Sequence, residues 1–291
     1  MLRLCTLCAV FVLVSGLAAD AQRDPPLPPG RDPGGVAIAL LGTGIDYTVP
    51  DIARRLARDG EGELIGWDLV DNDNRPFRSG RAAPDAGAWG ASTTALALAI
   101  GVPGRRIVAV RIDPGDARSI ARAVAFLAQA PARVVVVPAS TRRPEDWVPF
   151  RDAATHFKDL LFVVPAGDDA TGADREPAWP AAFRLANALV VAASPADGGT
   201  PGPAGEGGMQ TADALVALPR TETVGDPPPP RASLAAAVAA DALAGCWPRL
   251  IEIHRGEPLK RALLAEAAKA AARGGRPLIV RCAADATRTK R

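Results

Sequence analysis

The stretch Gly42-Thr43-Gly44-Ile45-Asp46-Tyr47-Thr48-Val49-Pro50-Asp51-Ile52 decides how the rest of the chain is read. Before it lies the apolar run Val36 to Leu41, long enough for a strand and too short for a buried helix. Gly42 and Gly44 end that run as a strand entering a tight turn would. A Gly-x-Gly after a strand can open a dinucleotide loop, but Tyr47 occupies the third glycine position, so that fingerprint fails.

Outward from this stretch the pattern repeats. Leu64 to Val70, Ile107 to Ile112, Val134 to Val137, Leu160 to Val164, Leu189 to Ala193, Leu215 to Leu218 and Pro277 to Arg281 read as short apolar strands. Helical segments separate them. Asp116 can cap a helix that carries Ile120, Val124 and Leu127 on one face. Arg151 to Asp159 and the Ala-rich Ser233 to Ala244 also read as helix, and Pro258 suits the first position before Leu259 to Ala272. Continuous apolar strands alternating with helices imply an α/β fold: a doubly wound, mainly parallel sheet of about seven strands in three layers, spanning residues 36–283.

Composition bounds the function. With 48% hydrophobic residues the 291-residue chain can fill a real core, and a net charge of +2 from scattered Arg gives no reason to invoke nucleic acid or an anionic membrane. Arg3, the apolar run Leu4 to Val14 and Ala19-Asp20-Ala21 read as a signal peptide over residues 1–21. That run is too short to span a bilayer, so an exported protein, periplasmic or secreted, with no membrane attachment after cleavage is expected. Residues 22–35 read as a disordered or extended lead-in, and residues 284–291 as a basic tail. Cleavage removes Cys5 and Cys8 and leaves Cys246 and Cys282, which are either a disulfide or two separate buried thiols. Cysteines at zinc spacing are absent, and the Asp71 to Asn74 cluster lacks the spaced carboxylates and terminal Glu of a calcium loop. It reads as a solvated turn. No metal and no cofactor are expected.

Four segments together resemble the subtilase family of serine peptidases over most of residues 36–272. The opening stretch is similar to the family's Asp-Thr-Gly-Ile-Asp-Tyr-Thr-His-Pro-Asp-Leu, and Gly66-Trp67-Asp68-Leu69-Val70-Asp71-Asn72-Asp73-Asn74 looks like the strand and loop that follow. Val163-Val164-Pro165-Ala166-Gly167-Asp168 resembles Val-Val-Ala-Ala-Gly-Asn. Arg231-Ala232-Ser233-Leu234-Ala235-Ala236 is similar to Gly-Thr-Ser-Met-Ala-Ala, where the family's nucleophile opens a central helix.

The resemblance implies a catalytic apparatus that this chain has largely lost. The position of the orienting Asp is Gly42, which has no side chain. Ala88-Trp89-Gly90-Ala91-Ser92 best matches the segment of the catalytic His and puts Trp89 there; indole donates but cannot accept a proton. The oxyanion position holds Asp168 where the family has an Asn amide, and an ionised carboxylate would repel a developing oxyanion. Sedolisins, acid-acting relatives, carry an Asp at that position but also need a Glu and an Asp where this chain has Trp89 and Thr93. Active subtilases commonly carry an inhibitory segment before the first motif, for which the lead-in is too short.

Ser233 is the one triad member retained, with Arg231 and Ala232 replacing the usual Gly and Thr. His156 and His254, the chain's two histidines, are expected far from it. Ser233 then reads as a helix N-terminal residue capping backbone N–H groups. The expectation is a pseudo-peptidase that holds a peptide or protein partner without cutting it. Trp89 would fill the space of the lost imidazole or anchor the partner. The rivals are a serine peptidase using Ser233 with a non-standard base, and a structural domain with no cleft ligand.

Overall fold

The computed structural model describes residues 24–78, 93–101, 104–167, 177–196, 211–219, 229–273 and 275–282. Its strands are β1 (Val36–Gly42), β2 (Trp67–Asp68), β3 (Arg105–Arg111), β4 (Val134–Val136), β5 (Leu161–Pro165), β6 (Ala188–Pro195), β7 (Ala214–Leu218), β8 (Ala272–Arg273) and β9 (Arg276–Ile279). The helices are α1 (Pro50–Ala53), α2 (Thr93–Ala99), α3 (Ala117–Leu127), α4 (Val148–His156), α5 (Arg231–Cys246), α6 (Pro248–Ile253) and α7 (Gly256–Ala270). The strands form one sheet in the order β2-β3-β1-β4-β5-β6-β7-β9-β8, parallel except for the β8–β9 pair.

Strand periodicity divides the core in two. Ile38 and Leu40 of β1, Val134 and Val136 of β4, and Leu161 and Val163 of β5 face a layer holding α2, α5, α6 and α7. Ala39 and Leu41, Val135 and Val137, and Phe162 and Val164 face α3 and α4. Both faces are dry, and the strand sequences are therefore apolar at every position rather than at alternate ones. This is a three-layer, doubly wound α/β fold.

Local chemistry explains the element ends. Asp116 accepts the backbone N–H of Arg118 at 2.9 Å and caps α3, and Ile120, Val124 and Leu127 are buried beneath it. Helix α5 shows no polar face: Ala232 to Ala244 are all buried, because the sheet covers one side and neighbouring helices the rest. Small alanines allow that close approach. Helix α7 begins at Gly256, before Pro258, with Arg255 as its N-cap.

Two features differ from the sequence-based expectation. The sheet has nine strands: β2 keeps only two residues of the run Leu64 to Val70, and β8, a two-residue edge piece, is too short for any periodicity to register. The lead-in takes the extended of its two expected forms, but it is also tied down from residue 24, which composition does not predict. Asp32 accepts from the N–H groups of Gly34 and Arg58 and pairs with Arg106, and Leu27 packs on the core. Its Pro-rich composition reads as disorder only while these tertiary partners are out of view.

A candidate active site closed from within

The strand order reverses at β1, whose neighbours are β3 and β4. Chains leaving the carboxyl ends of β1 and β4 diverge there, which is where ligand crevices form in open parallel sheets. The last register pair is Leu40 with Val136, so Gly42 and Pro138 each lie two residues beyond it, at the mouth of that crevice. The amino end of α5, carrying Ser233, sits over them.

Ser233 is the third residue of α5, and its hydroxyl donates to the Pro138 carbonyl at 2.6 Å. It is 1% exposed. The side chain thus caps nothing. The N-cap is Pro230, which offers no side-chain acceptor, so the capping reading of Ser233 is corrected by a bond that runs to the sheet. An amide carbonyl accepts a hydrogen bond but is no base, so this contact holds the hydroxyl proton and does not remove it.

Gly42 closes the other side. A Cβ added there would lie 2.2 Å from Thr93 Oγ1 and 2.6 Å from Thr93 Cγ2. Thr93 opens α2, and its Oγ1 accepts the N–H of Thr43 at 3.2 Å, while Thr94 Oγ1 accepts that of Asp46 at 2.8 Å. These hydroxyls satisfy the turn after β1 and occupy the volume an orienting carboxylate would need. Gly44 follows at φ +100°, with its Cβ position 2.8 Å from the Phe77 carbonyl, so the turn admits no side chain there either.

Arg231 does not stretch into open space. Its guanidinium donates to the carbonyls of Leu218 and Pro219, both at 3.3 Å, pinning the start of α5 to the end of β7. His156 ends α4 in the opposite layer from Ser233, its ring edge-on to Phe157. His254 follows α6, beyond the far end of α5. Neither histidine is near the Ser233 hydroxyl. Trp89 and Asp168 lie outside the described residues.

Asp24, Asp68 and Asp71 bring carboxylate oxygens within 4.8 Å of one another. Arg111 lies among them, its Nη1 2.7 Å from Asp68 and 2.6 Å from Asp71, so a guanidinium already supplies the counter-charge. Burial pushes the carboxyl of Asp24 above its ordinary range; Arg111 opposes that push, and Asp71, Asp68 and Asp73 add to it. Asp68 also accepts the N–H groups of Val70 and Asp71, which makes it the organiser of the turn.

At the other end of α5 lies a latch. Cys246 and Cys282 are joined by a disulfide with Cα atoms 5.7 Å apart. The adjacent Arg281 reaches Asp241 at 3.3 Å and the Ala99 carbonyl at 3.2 Å. Asp241 is fully buried in α5 and also pairs with Arg105 at 3.0 Å. Sequence reasoning missed Thr93 as a steric plug, Pro138 as an acceptor, and this ionic cluster. Only Asp241 left a trace, as a lone acid inside an alanine-rich apolar helix.

No family model matches the chain, and no curated protein matches it in sequence. Solved structures do. A cold-adapted subtilisin-like serine proteinase superposes with a TM-score of 0.60 at 19% identity, covering 90% of this chain and 96% of that one. A lanthipeptide protease gives 0.57 at 14% identity, covering 89% and 90%. The nisin leader peptidase NisP from Lactococcus lactis gives 0.58 at 13% identity, covering 86% of each. The chain has the subtilisin-like fold.

Proposed function

We propose that this protein is an exported pseudo-peptidase, a subtilisin-like fold that binds a peptide or protein partner without cleaving it. The observation that carries this reading is the Ser233 hydroxyl, buried and bonded to the Pro138 carbonyl with no base beside it among the described residues. Acyl transfer requires a group that takes the serine proton and another that orients it. The orienting position is Gly42, and Thr93 fills the space beside it. In this reading Trp89 and Asp168 complete the loss of catalytic groups, and the signal peptide over residues 1–21 delivers the domain to the periplasm or beyond.

A fluorophosphonate probe tests this directly. The purified chain should remain unlabelled at Ser233 and should not hydrolyse casein. Stoichiometric labelling, or casein cleavage that disappears in Ser233→Ala, would establish instead a serine peptidase working through a non-standard base.

A further inference from the structure

A further concavity among the described residues lies at the opposite end of the sheet from Ser233. A pocket of about 740 Å³ opens at the amino ends of β1 and β3, the approach to β4, and the carboxyl end of α5. Ser233 and Ala244, at opposite ends of α5, are separated by about 17 Å of helix at 1.5 Å per residue. The pocket is therefore independent of the candidate active site.

Its lining contains four arginines, Arg105, Arg106, Arg133 and Arg255, against the single carboxylate of Glu252. Arg105 pairs with the carboxylate of Asp241, which Arg281 also reaches. Arg255 donates to the carbonyls of Ile251, Glu252 and His254, which are neutral. Arg106 is paired through Nη1 with Asp32 at 2.8 Å, yet its Nε is buried without an acceptor. The half-buried Arg133 accepts the Leu161 N–H through its backbone carbonyl, but its guanidinium has neither a hydrogen-bond nor a carboxylate partner among the described residues. Glu252 and the carboxyl end of α5 oppose an anion, but they face more guanidiniums than they can neutralise.

The volume falls in the range of small-molecule pockets. Pro131, Pro248 and Ile251 give one side of the lining an apolar character. We infer that this pocket binds a small organic anion, a carboxylate or phosphate head on an apolar body, with Arg133 receiving the head.

Calorimetric titration of the purified chain at constant ionic strength, with phenyl phosphate, benzoate and inorganic phosphate as probes, tests the site. Phenyl phosphate or benzoate should bind saturably with a Kd below about 1 mM. Whichever binds more tightly identifies the head group. Arg133→Ala should weaken binding about tenfold or more, Arg133→Lys less, and Arg118→Ala on exposed α3 not at all. Unchanged melting of Arg133→Ala separates lost binding from lost fold, and Arg133→Lys serves if the alanine variant misfolds. Absence of saturable binding, equal binding by Arg133→Ala, or inorganic phosphate binding as tightly as phenyl phosphate overturns the inference. None of these outcomes alters the probe reactivity of Ser233.

Discussion

Thr93 Oγ1 stands 2.2 Å from the point where a Cβ on Gly42 would sit. That relationship means that position 42 has no room for a side chain, since the volume belongs to a threonine that is itself hydrogen-bonded to Thr43.

Gly42→Ala should destabilise the fold by about 1–3 kcal/mol, the usual cost of overpacking a closed site. Gly42→Asp should do worse and restore no peptidase activity. Urea denaturation reads both effects; a Gly42→Ala variant as stable as the parent would show that α2 moves aside freely.

Ser233→Ala leaves the Pro138 carbonyl buried without its donor and should cost about 1–3 kcal/mol. For a serine that serves only a nucleophilic role, stability would be unchanged and activity alone lost. Comparing thermal melts with probe labelling separates the two.

Asp241→Asn should lower stability by about 3–5 kcal/mol, because Arg105 and Arg281 would lose the charge that balances them inside the protein. Asp241→Leu should fare no better while both arginines remain. Chemical denaturation showing a loss under 1 kcal/mol would mean that water reaches this cluster.

Reduction, or Cys282→Ser, opens a loop closed by cysteines 36 residues apart and should cost about 3–4 kcal/mol. Denatured, unreduced protein should show no thiol at Cys246 or Cys282 in a colorimetric assay. Two reactive thiols there would dismiss the cross-link.

Asp32 gives the lead-in a pH signature. Burial pushes its carboxyl up, but the N–H groups of Arg58 and Gly34 and the Arg106 guanidinium outweigh burial and hold it below the ordinary carboxylate range. A depressed folded value means that the stabilisation is complete above the unfolded value near pH 4 and is lost as pH falls through the folded one. Asp32→Asn should therefore be less stable than the parent at neutral pH, with the gap closing as pH drops below about 4. A gap independent of pH would contradict this.

Much of the fold was legible in the residues. The runs from Val36 to Leu41 and from Val134 to Val137 are apolar at consecutive positions, which only a sheet covered on both faces rewards. Asp116 announced its helix because N-capping is a local bond between near neighbours. The anchored lead-in was not legible, because Asp32 finds Arg58 and Arg106 only after β1 and β3 pair.

By itself the sequence determined the layer architecture, through its apolar periodicity. Only the tertiary structure decided where the Ser233 proton goes, what fills the space beside Gly42, and which arginines gather at the amino ends of the strands. Those outcomes depend on contacts such as Ser233 with Pro138, 95 residues apart, and Thr43 with Thr93, 50 apart, and local patterning carries no record of such pairings.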